Sequence, residues 1–322
     1  MAFLAKIAVE LRQAVARRAK DDAAAAAPIS RLLGRGDGWS VEDLLCTSGR
    51  RDLPFEEQHS GVSIAIVLAG TFQYRAAGRQ SSSRQLMTPG SLLLGNPGQS
   101  FECSHDHGDG DRCLSFHFTA DYFERVAADA GLGRGQRSFA VARLPLLRQF
   151  SPLIAGASAA MTLGPGSQRQ SDGNESWEEL GLQLAALAVR AANGAPEQQK
   201  TAASSALARV TRVVRRLEEH PESDPSIRLL AQEAGLSPFH FLRTFEQVVG
   251  VTPHQYSRRT RLRRAAAQLL MEHKSVLDVV MDCGFGDVSN FNRGFRNEFG
   301  MSPRQFRLQR ARVPAELASR GW

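Results

Sequence analysis

Hydrophobic and polar positions follow different periods in the two halves of this chain. Between Trp39 and Phe118, apolar residues form short runs or alternate with polar ones, as in strands of a packed β-sheet. Beyond residue 205, apolar residues recur every three or four positions, which is the spacing of amphipathic helices. The pattern therefore predicts an α+β protein with a β-rich N-terminal part and an all-α C-terminal part.

The helical part repeats one motif after about fifty positions. The matching residues are Phe241, Arg243, Phe245, Gly250 and Pro253, which recur as Phe291, Arg293, Phe295, Gly300 and Pro303. A match at a fixed offset indicates two copies of one supersecondary unit.

The residue pattern of each copy predicts a short helix, a turn at a glycine and a second helix. In the first copy Ser226 is placed as an N-cap and Gly235 ends the first helix. Ser237 then caps the second helix, with Pro238 at its first position. The second copy has the same signals at Ser275, Asp278, Gly284 and Asp287. Both copies therefore predict a helix-turn-helix unit.

A single helix over residues 254–271 is expected to connect the two units. Its apolar side consists of Leu262, Ala265, Ala266, Leu269 and Leu270. At 1.5 Å per residue it spans roughly 27 Å, and successive major grooves on one DNA face lie about 34 Å apart. A connector of this length can place two helices in consecutive grooves.

The positions left exposed on the two second helices suit DNA recognition. Arginine pairs with guanine, asparagine with adenine, and apolar side chains contact thymine methyl groups. The alternative is a small helical bundle whose arginines are merely solvated, but arginine at the same register in both copies (Arg243 and Arg293) favours recognition.

The charge distribution supports a polyanionic partner for the same part of the chain. The 322 residues carry a net charge of +7. Residues 205–312 contain 18 Lys and Arg against 11 Asp and Glu, whereas the rest of the chain has 22 of each sign. All the excess positive charge therefore lies in the helical part, as phosphate contact requires.

The segment from Arg209 to Arg312 resembles the DNA-binding domain of the AraC/XylS family of bacterial transcription regulators. The resemblance rests on the run 261–265 and on the closing motif from Gly284 to Pro303. It implies two recognition helices, 238–249 and 288–299, in successive major grooves. It assigns base reading to Pro238, Phe239, Leu242, Arg243, Val288, Ser289, Asn292 and Arg293. Arginines expected to contact phosphates are Arg258, Arg259, Arg296, Arg304 and Arg307.

The β-rich part predicts a small barrel or sandwich. Strands are expected over 63–68, 71–74, 91–94, 100–103 and 112–118, with turns at Gly70 and at 95–98. This pattern, with its Pro89-Gly90 turn, is similar to the cupin-like sensor domain of the same family. The ligands of a metal-dependent cupin are not matched, since the first strands offer only His59 and a ligand position holds Phe101.

One cluster in the β-rich part has metal-ligand chemistry. Thiols and imidazoles at such spacing can hold zinc or copper, and the cluster consists of Cys103, His105, His107 and Cys113. The alternative is a polar hairpin loop flanked by buried thiols that behave as small hydrophobic groups. We assign no metal and no cofactor and keep the cluster as a hypothesis of a metal or redox sensor.

The predicted domains follow from these patterns. Residues 1–28 are a helical extension, expected to be loosely attached and to pack on a partner subunit, and 29–162 are the cupin-like domain. Residues 163–204 form a linker whose helix 176–192, opened by a capping box at Ser176, serves either to pack on the barrel or to form a dimer. The DNA-binding domain covers 205–312, and 313–322 form a tail.

The sequence thus predicts a sequence-specific DNA-binding transcription regulator rather than an enzyme. Four scattered cysteines and the lack of a secretory or membrane-spanning run favour the cytoplasm. Expected partners are double-stranded DNA, RNA polymerase, a small-molecule effector and a second copy of the chain. The alternative is a cupin-type metal-dependent enzyme, or a metal or redox sensor, fused to a DNA-binding tail.

Overall fold

The computed structural model describes residues 3–20, 28–77, 84–130, 138–163, 170–194, 202–271 and 274–308. It begins with helix α1 (Phe3–Lys20). The strands that follow are β1 (Ile29–Gly36), β2 (Trp39–Cys46), β3 (Phe55–Gln58), β4 (Val62–Gly70), β5 (Phe72–Ala76), β6 (Gln85–Met87), β7 (Leu92–Gly95), β8 (Ser100–Ser104) and β9 (Asp111–Phe118).

The rest of the chain is mostly helical. After α2 (Ala120–Asp129) come the short strand β10 (Arg143–Leu144) and a 3-10 turn, Arg148–Phe150. The remaining helices are α3 (Ser151–Leu163), α4 (Gln170–Asn193), α5 (Ser204–Glu219), α6 (Ile227–Ala234), α7 (Pro238–Val249), α8 (Pro253–Met271), α9 (Val276–Asp282) and α10 (Val288–Phe299). None of the described helices is long and apolar enough to span a membrane.

The strands form two antiparallel sheets, which confirms the predicted fold class. One sheet has the order β1-β2-β9-β4-β7-β10 and the other β3-β8-β5-β6. All five strands expected from the sequence are present, and their ends differ from the expected ones by at most two residues. β4 lies at the centre of the larger sheet and is buried on both faces.

Period-two alternation in β9 sorts its side chains into two layers, as the sequence predicts. Leu114 and Phe116 belong to the core between the larger sheet and the helices, which also contains Leu184 of α4. Cys113 belongs to the core between the two sheets, together with Tyr74 of β5. The N-terminal domain therefore has a helical layer on one side of the larger sheet and a second sheet on the other.

Helix α1 is an integral part of the N-terminal domain, so the prediction of a loosely attached extension is wrong. Ile7 and Leu11 are only 1% and 4% exposed in the core that includes β4 and β9. A carboxylate oxygen of Glu10 lies 2.5 Å from Arg112 Nη1, and Arg18 pairs with Asp52 at 2.6 Å. The helical pattern of the sequence gave no signal of these partly buried ion pairs, because their partners lie far away in the chain.

Helix α4 begins at Gln170, so Ser176 lies inside the helix rather than at its N-cap. Its apolar positions Trp177, Leu184 and Val189 are buried in the domain's own core, as the packing alternative predicts. Leu182 is 37% exposed. Residues 164–169 and 195–201 of the predicted linker, and the tail 313–322, lie outside the described residues.

The two helix-turn-helix units have separate cores joined by α8. Phe241, Phe245 and Tyr256 belong to the first core, which α5 covers. The second core surrounds Phe291 and Phe295. The predicted connecting helix is confirmed, starting one residue earlier than expected at Pro253.

The N-terminal domain packs directly against both units. Leu86 and Leu146 belong to the core of the first unit, and Ala155 of α3 belongs to the core of the second. Since burial of apolar surface stabilises such contacts, the two domains form one continuous packed body in this arrangement.

Candidate nucleic-acid interface

The first unit is built by the capping signals that its sequence predicts. Ser226 Oγ accepts a hydrogen bond from the Leu229 backbone N–H at 3.3 Å. Gly235 has a φ of 63°, which only glycine adopts without strain. Ser237 caps α7 by accepting from the His240 N–H at 3.4 Å. These contacts hold α7 at a defined angle to α6.

The second unit uses a stronger set of caps. Ser275 and Asp278 form a reciprocal capping box at the start of α9. The Asp287 carboxylate accepts from the backbone N–H groups of Ser289 and Asn290 at 2.9 and 3.0 Å. These bonds lower the pKa of Asp287. Both predicted caps are therefore present, and α10 starts where the sequence indicates.

The base-reading candidates on α7 all face solvent. Pro238, Phe239, Leu242 and Arg243 are exposed, and the Phe239 ring is 72% accessible although it is large and apolar. The Arg243 guanidinium lies 5.9 Å from the centre of that ring. An apolar ring next to an exposed arginine is a suitable surface for contacting base edges and thymine methyl groups.

The candidates on α10 form the equivalent surface. Val288, Ser289 and Arg293 are exposed, whereas Asn292 is half-buried. Arg293 donates a hydrogen bond to the side chain of Asn290, one turn earlier. This contact orients the guanidinium along the exposed face of the helix.

Two arginines of α8 are structural, and the sequence does not distinguish them from DNA contacts. Arg261 donates to the carbonyl oxygens of Pro221 and Ser223 at 2.8 and 2.6 Å and pairs with Asp224 at 2.8 Å. Arg263 pairs with Glu218 at 3.0 Å. Part of the positive charge of this domain therefore holds α8 to the loop and helix before α6.

The arginines expected to contact phosphates divide into two groups. Arg258, Arg296 and Arg304 are exposed and remain suitable. Arg259 donates to the Leu146 carbonyl oxygen at 2.6 Å and lies 3.5 Å from Glu298, so its guanidinium is occupied. Arg307 is half-buried with two of its nitrogens inaccessible to solvent. For Arg259, the expected phosphate contact is not available in this arrangement.

One segment of the N-terminal domain, residues 143–151, contacts three helices of the DNA-binding domain. Arg143 donates to α7, and Leu146 accepts from Arg259 on α8. Ser151 Oγ donates to Glu298 on α10 at 2.5 Å. We call residues 143–151 the interdomain segment. No sequence pattern indicated it, because its contacts lie more than a hundred positions away in the chain.

The predicted cluster of Cys103, His105, His107 and Cys113 does not come together as a set. Burial raises the pKa of the Cys103 and Cys113 thiols, which favours the interpretation as small buried groups. His107 points to a groove shared with arginines of α5. Among the described residues, His105 instead meets two side chains that the sequence did not single out, Cys46 and Asp111.

His59, the histidine of the first strands, is held inside the N-terminal domain. Its Nε2 lies 3.0 Å from the Tyr74 hydroxyl oxygen, and its Nδ1 lies 3.0 Å from the Ser63 hydroxyl oxygen. The ring stacks on Phe101, with 4.3 Å between the ring centres. Burial lowers the pKa of His59 to about 4. Phe101 therefore fills the place where a cupin metal ligand was considered.

Comparison with known proteins assigns both domains. Residues 230–309 match the model of a helix-turn-helix domain, and residues 49–185 match the model of an AraC-like ligand binding domain. The match to the AraC-like ligand binding domain extends beyond residue 162 into helix α4, and the helix-turn-helix match lies within residues 205–312.

Curated relatives are transcriptional regulators. An HTH-type transcriptional regulator of Mycobacterium tuberculosis is 41% identical over 24% of this chain and 30% of its own length. The HTH-type transcriptional activator RhaS of Klebsiella pneumoniae is 34% identical over 51% of this chain and 55% of its own length. The chain thus spans about a third to a half of these relatives.

A solved structure with a similar segment is the DNA-binding domain of the global transcriptional factor AdpA in complex with a target DNA. It is 31% identical, the match covers 33% of this chain and 96% of that one, and the TM-score is 0.32.

Proposed function

Because the chain belongs to the AraC/XylS family of bacterial transcription regulators, we propose that it reads a specific DNA sequence with α7 and α10 under the control of its N-terminal domain. The observation that carries this proposal is that the two second helices expose seven of the eight positions proposed to read bases, all except the half-buried Asn292. Arg243 and Arg293 are exposed at matching registers, while the phenylalanines two positions before and two positions after each arginine are buried.

The length of α8 supports binding to two consecutive grooves. Its 19 residues span roughly 28 Å at 1.5 Å per residue. That is close to the 34 Å or so that separates successive major grooves on one face of the duplex. Arg258, Arg296 and Arg304 would contact the phosphates that flank the two grooves.

The interdomain segment supports control by the N-terminal domain. It connects the sheet to α7, α8 and α10, so a ligand that moves the sheet edge would change how the recognition helices are held. We propose a small-molecule effector for the N-terminal domain and RNA polymerase as a partner on DNA. The proposal involves no catalytic step and places the protein in the cytoplasm, where the DNA is.

We further propose a homodimer formed by α4 and the edge strand β1. Helix α4 packs on β1, and this side of the domain exposes Ile29, Leu32 and Leu182, with accessibilities of 62%, 51% and 37%. Sedimentation of the parent and of Leu182→Glu tests the dimer, which the charged side chain should dissociate.

Selection of duplex DNA from a random pool by the full-length protein tests the proposed function. We expect an enriched motif with two half-sites about 10–10.5 base pairs apart. The double variant Arg243→Ala/Arg293→Ala serves as the control and should enrich no such motif. Enrichment of the same motif by that variant, or of none by the parent, would contradict the proposal.

A further inference from the structure

Three side chains with metal-ligand chemistry converge at the base of the hairpin between β8 and β9. Cys46 ends β2, Asp111 begins β9, and the two are direct partners in the register of these antiparallel strands. His105 directly follows β8 and returns to the same place. One potential ligand atom from each residue lies within 4.8 Å of the others.

The three groups already contact one another. His105 Nε2 lies 2.7 Å from Asp111 Oδ1, and the Cys46 sulfur lies within 4.8 Å of potential ligand atoms of both residues. The other carboxylate oxygen of Asp111 accepts from the Cys113 thiol at 3.2 Å. The atoms that would bind an ion are therefore held by strand register and by neighbouring hydrogen bonds rather than by a mobile loop.

The ligand types select the ion. A thiolate, an imidazole and a carboxylate are all ligands of zinc, whereas calcium and magnesium prefer oxygen alone. With metal–ligand bonds of about 2.0–2.3 Å, ligand atoms of a tetrahedral zinc site lie roughly 3.3–3.8 Å apart. Side-chain movements of about an ångström would bring the three groups to that spacing.

Burial makes a cation favourable at this place. Cys46, His105 and Asp111 are only 4%, 3% and 7% exposed. A thiolate and a carboxylate together carry two negative charges, which a divalent ion would neutralise where water does not reach.

Helix α1 covers the cluster. Gly110 has a φ of 68°. A side chain there would approach Val15 Cγ2 to 2.7 Å and the Cys46 carbonyl oxygen to 2.8 Å. Arg18 of the same helix donates to the Thr47 carbonyl oxygen at 2.6 Å, one residue after Cys46. An ion would therefore be enclosed by α1 and the hairpin.

We propose that Cys46, His105 and Asp111 form a binding site for a divalent transition-metal ion of the zinc class. The site does not depend on the proposed function.

The loop of the same hairpin lies near the DNA-binding domain, because a carboxylate oxygen of Asp109 is 3.8 Å from the guanidinium of Arg215 on α5. Binding releases the protons held by the thiol and the imidazole, as for other sites with these ligands.

The test uses full-length protein freed of metal by a chelator and titrated with Co²⁺, a spectroscopic substitute for Zn²⁺. We expect one equivalent of Co²⁺ to bind and to give a thiolate-to-metal charge-transfer band. Added Zn²⁺ should displace the Co²⁺ and abolish that band. Cys46→Ser, His105→Gln and Asp111→Asn should each lower the affinity for Co²⁺ at least tenfold. Even residues that only hydrogen-bond to a metal ligand typically cost about tenfold to a hundredfold in metal affinity when they are replaced.

Three variants provide matched controls. Cys283→Ser removes a buried thiol of the DNA-binding domain, and Cys103→Ser and His107→Ala remove residues near the site that do not belong to it. All three should bind like the parent.

Two results would overturn the proposal. One is a parent that binds no stoichiometric ion, and the other is a His107→Ala variant that loses as much affinity as Cys46→Ser. Should Cys46→Ser fail to fold, the nearly isosteric Asp111→Asn decides. Its metal-free unfolding temperature should be lower than the parent's, because the variant loses the buried charge partner of His105. Zn²⁺ should raise the unfolding temperature of the parent and not that of the variant.

Discussion

The guanidinium of Arg143 donates a 2.6 Å hydrogen bond to the carbonyl oxygen of Val249, at the C-terminal end of α7. A second bond of 3.2 Å reaches the Val248 carbonyl oxygen. The last carbonyl groups of a helix lack partners within the helix and carry partial negative charge. A buried arginine from the N-terminal domain therefore satisfies the end of α7 as a C-terminal cap.

Arg143→Met should loosen this end of α7. Burial lowers the pKa of Arg143 to about 10, so the side chain is charged at neutral pH. Hydrogen bonds from charged groups contribute about 1.5–3 kcal/mol, so amides of the last turn of α7 should exchange with deuterium roughly tenfold faster or more. The exposed Arg148→Met is the matched control and should exchange like the parent. Unchanged protection in Arg143→Met would mean that apolar packing alone holds the two domains together.

Removal of either arginine that we propose to read bases should weaken specific DNA binding. Arg243→Ala and Arg293→Ala are each expected to cost about 1–3 kcal/mol at a selected operator, the range for a good bidentate base contact. Binding to unrelated DNA should change little, because it depends mainly on phosphate contacts. Fluorescence anisotropy with both duplexes measures the difference.

Gln247→Ala alters an exposed residue of the same helix and serves as the control for that comparison. If it weakens operator binding as much as Arg243→Ala does, the assignment of base reading to Arg243 is incorrect.

The exposed arginines and Arg259 should respond differently to salt. The logarithm of the affinity falls linearly with the logarithm of the salt concentration, and each lost phosphate contact makes this negative slope less steep by about 0.9. Arg258→Ala and Arg304→Ala should each flatten the slope by that amount. Arg259→Ala should leave the slope unchanged, because its guanidinium binds Leu146 and Glu298. A flattened slope for Arg259→Ala would show that the domains separate on DNA and release this side chain.

Acid should destabilise the N-terminal domain through His59. Burial and the neighbouring His117 lower its pKa from 6.5 to about 4, while Tyr74 and Ser63 hold the ring. A depressed pKa means that the stabilising contribution is present above pH 6.5 and is lost as the pH falls towards 4. Urea unfolding between these values should therefore show a falling midpoint.

His59→Asn should flatten this dependence, since it removes the titrating group and keeps a polar side chain. His220→Asn changes an exposed histidine and should behave like the parent. Because burial also lowers the pKa of His117, part of the slope should persist in His59→Asn. An unaltered slope in that variant would assign the acid sensitivity to other groups.

The sequence by itself determined the local structure of this protein. Capping residues such as Ser226 and Asp287, and glycines such as Gly235, specify where helices start and end through contacts within a few residues. The alternation in β9 specified its two faces, because successive side chains of a strand point to opposite sides. Exposure of Arg243 and Arg293 also followed from the helical period.

Only the tertiary structure decided which distant groups meet. Arg259 and Arg304 look equivalent in the sequence, yet the first contacts Leu146 while the second is exposed. Cys46 and Asp111 join His105 because strand pairing brings them together across more than sixty positions. Such contacts depend on how layers pack and on strand register, and neither leaves a periodic signal in the residues that make them.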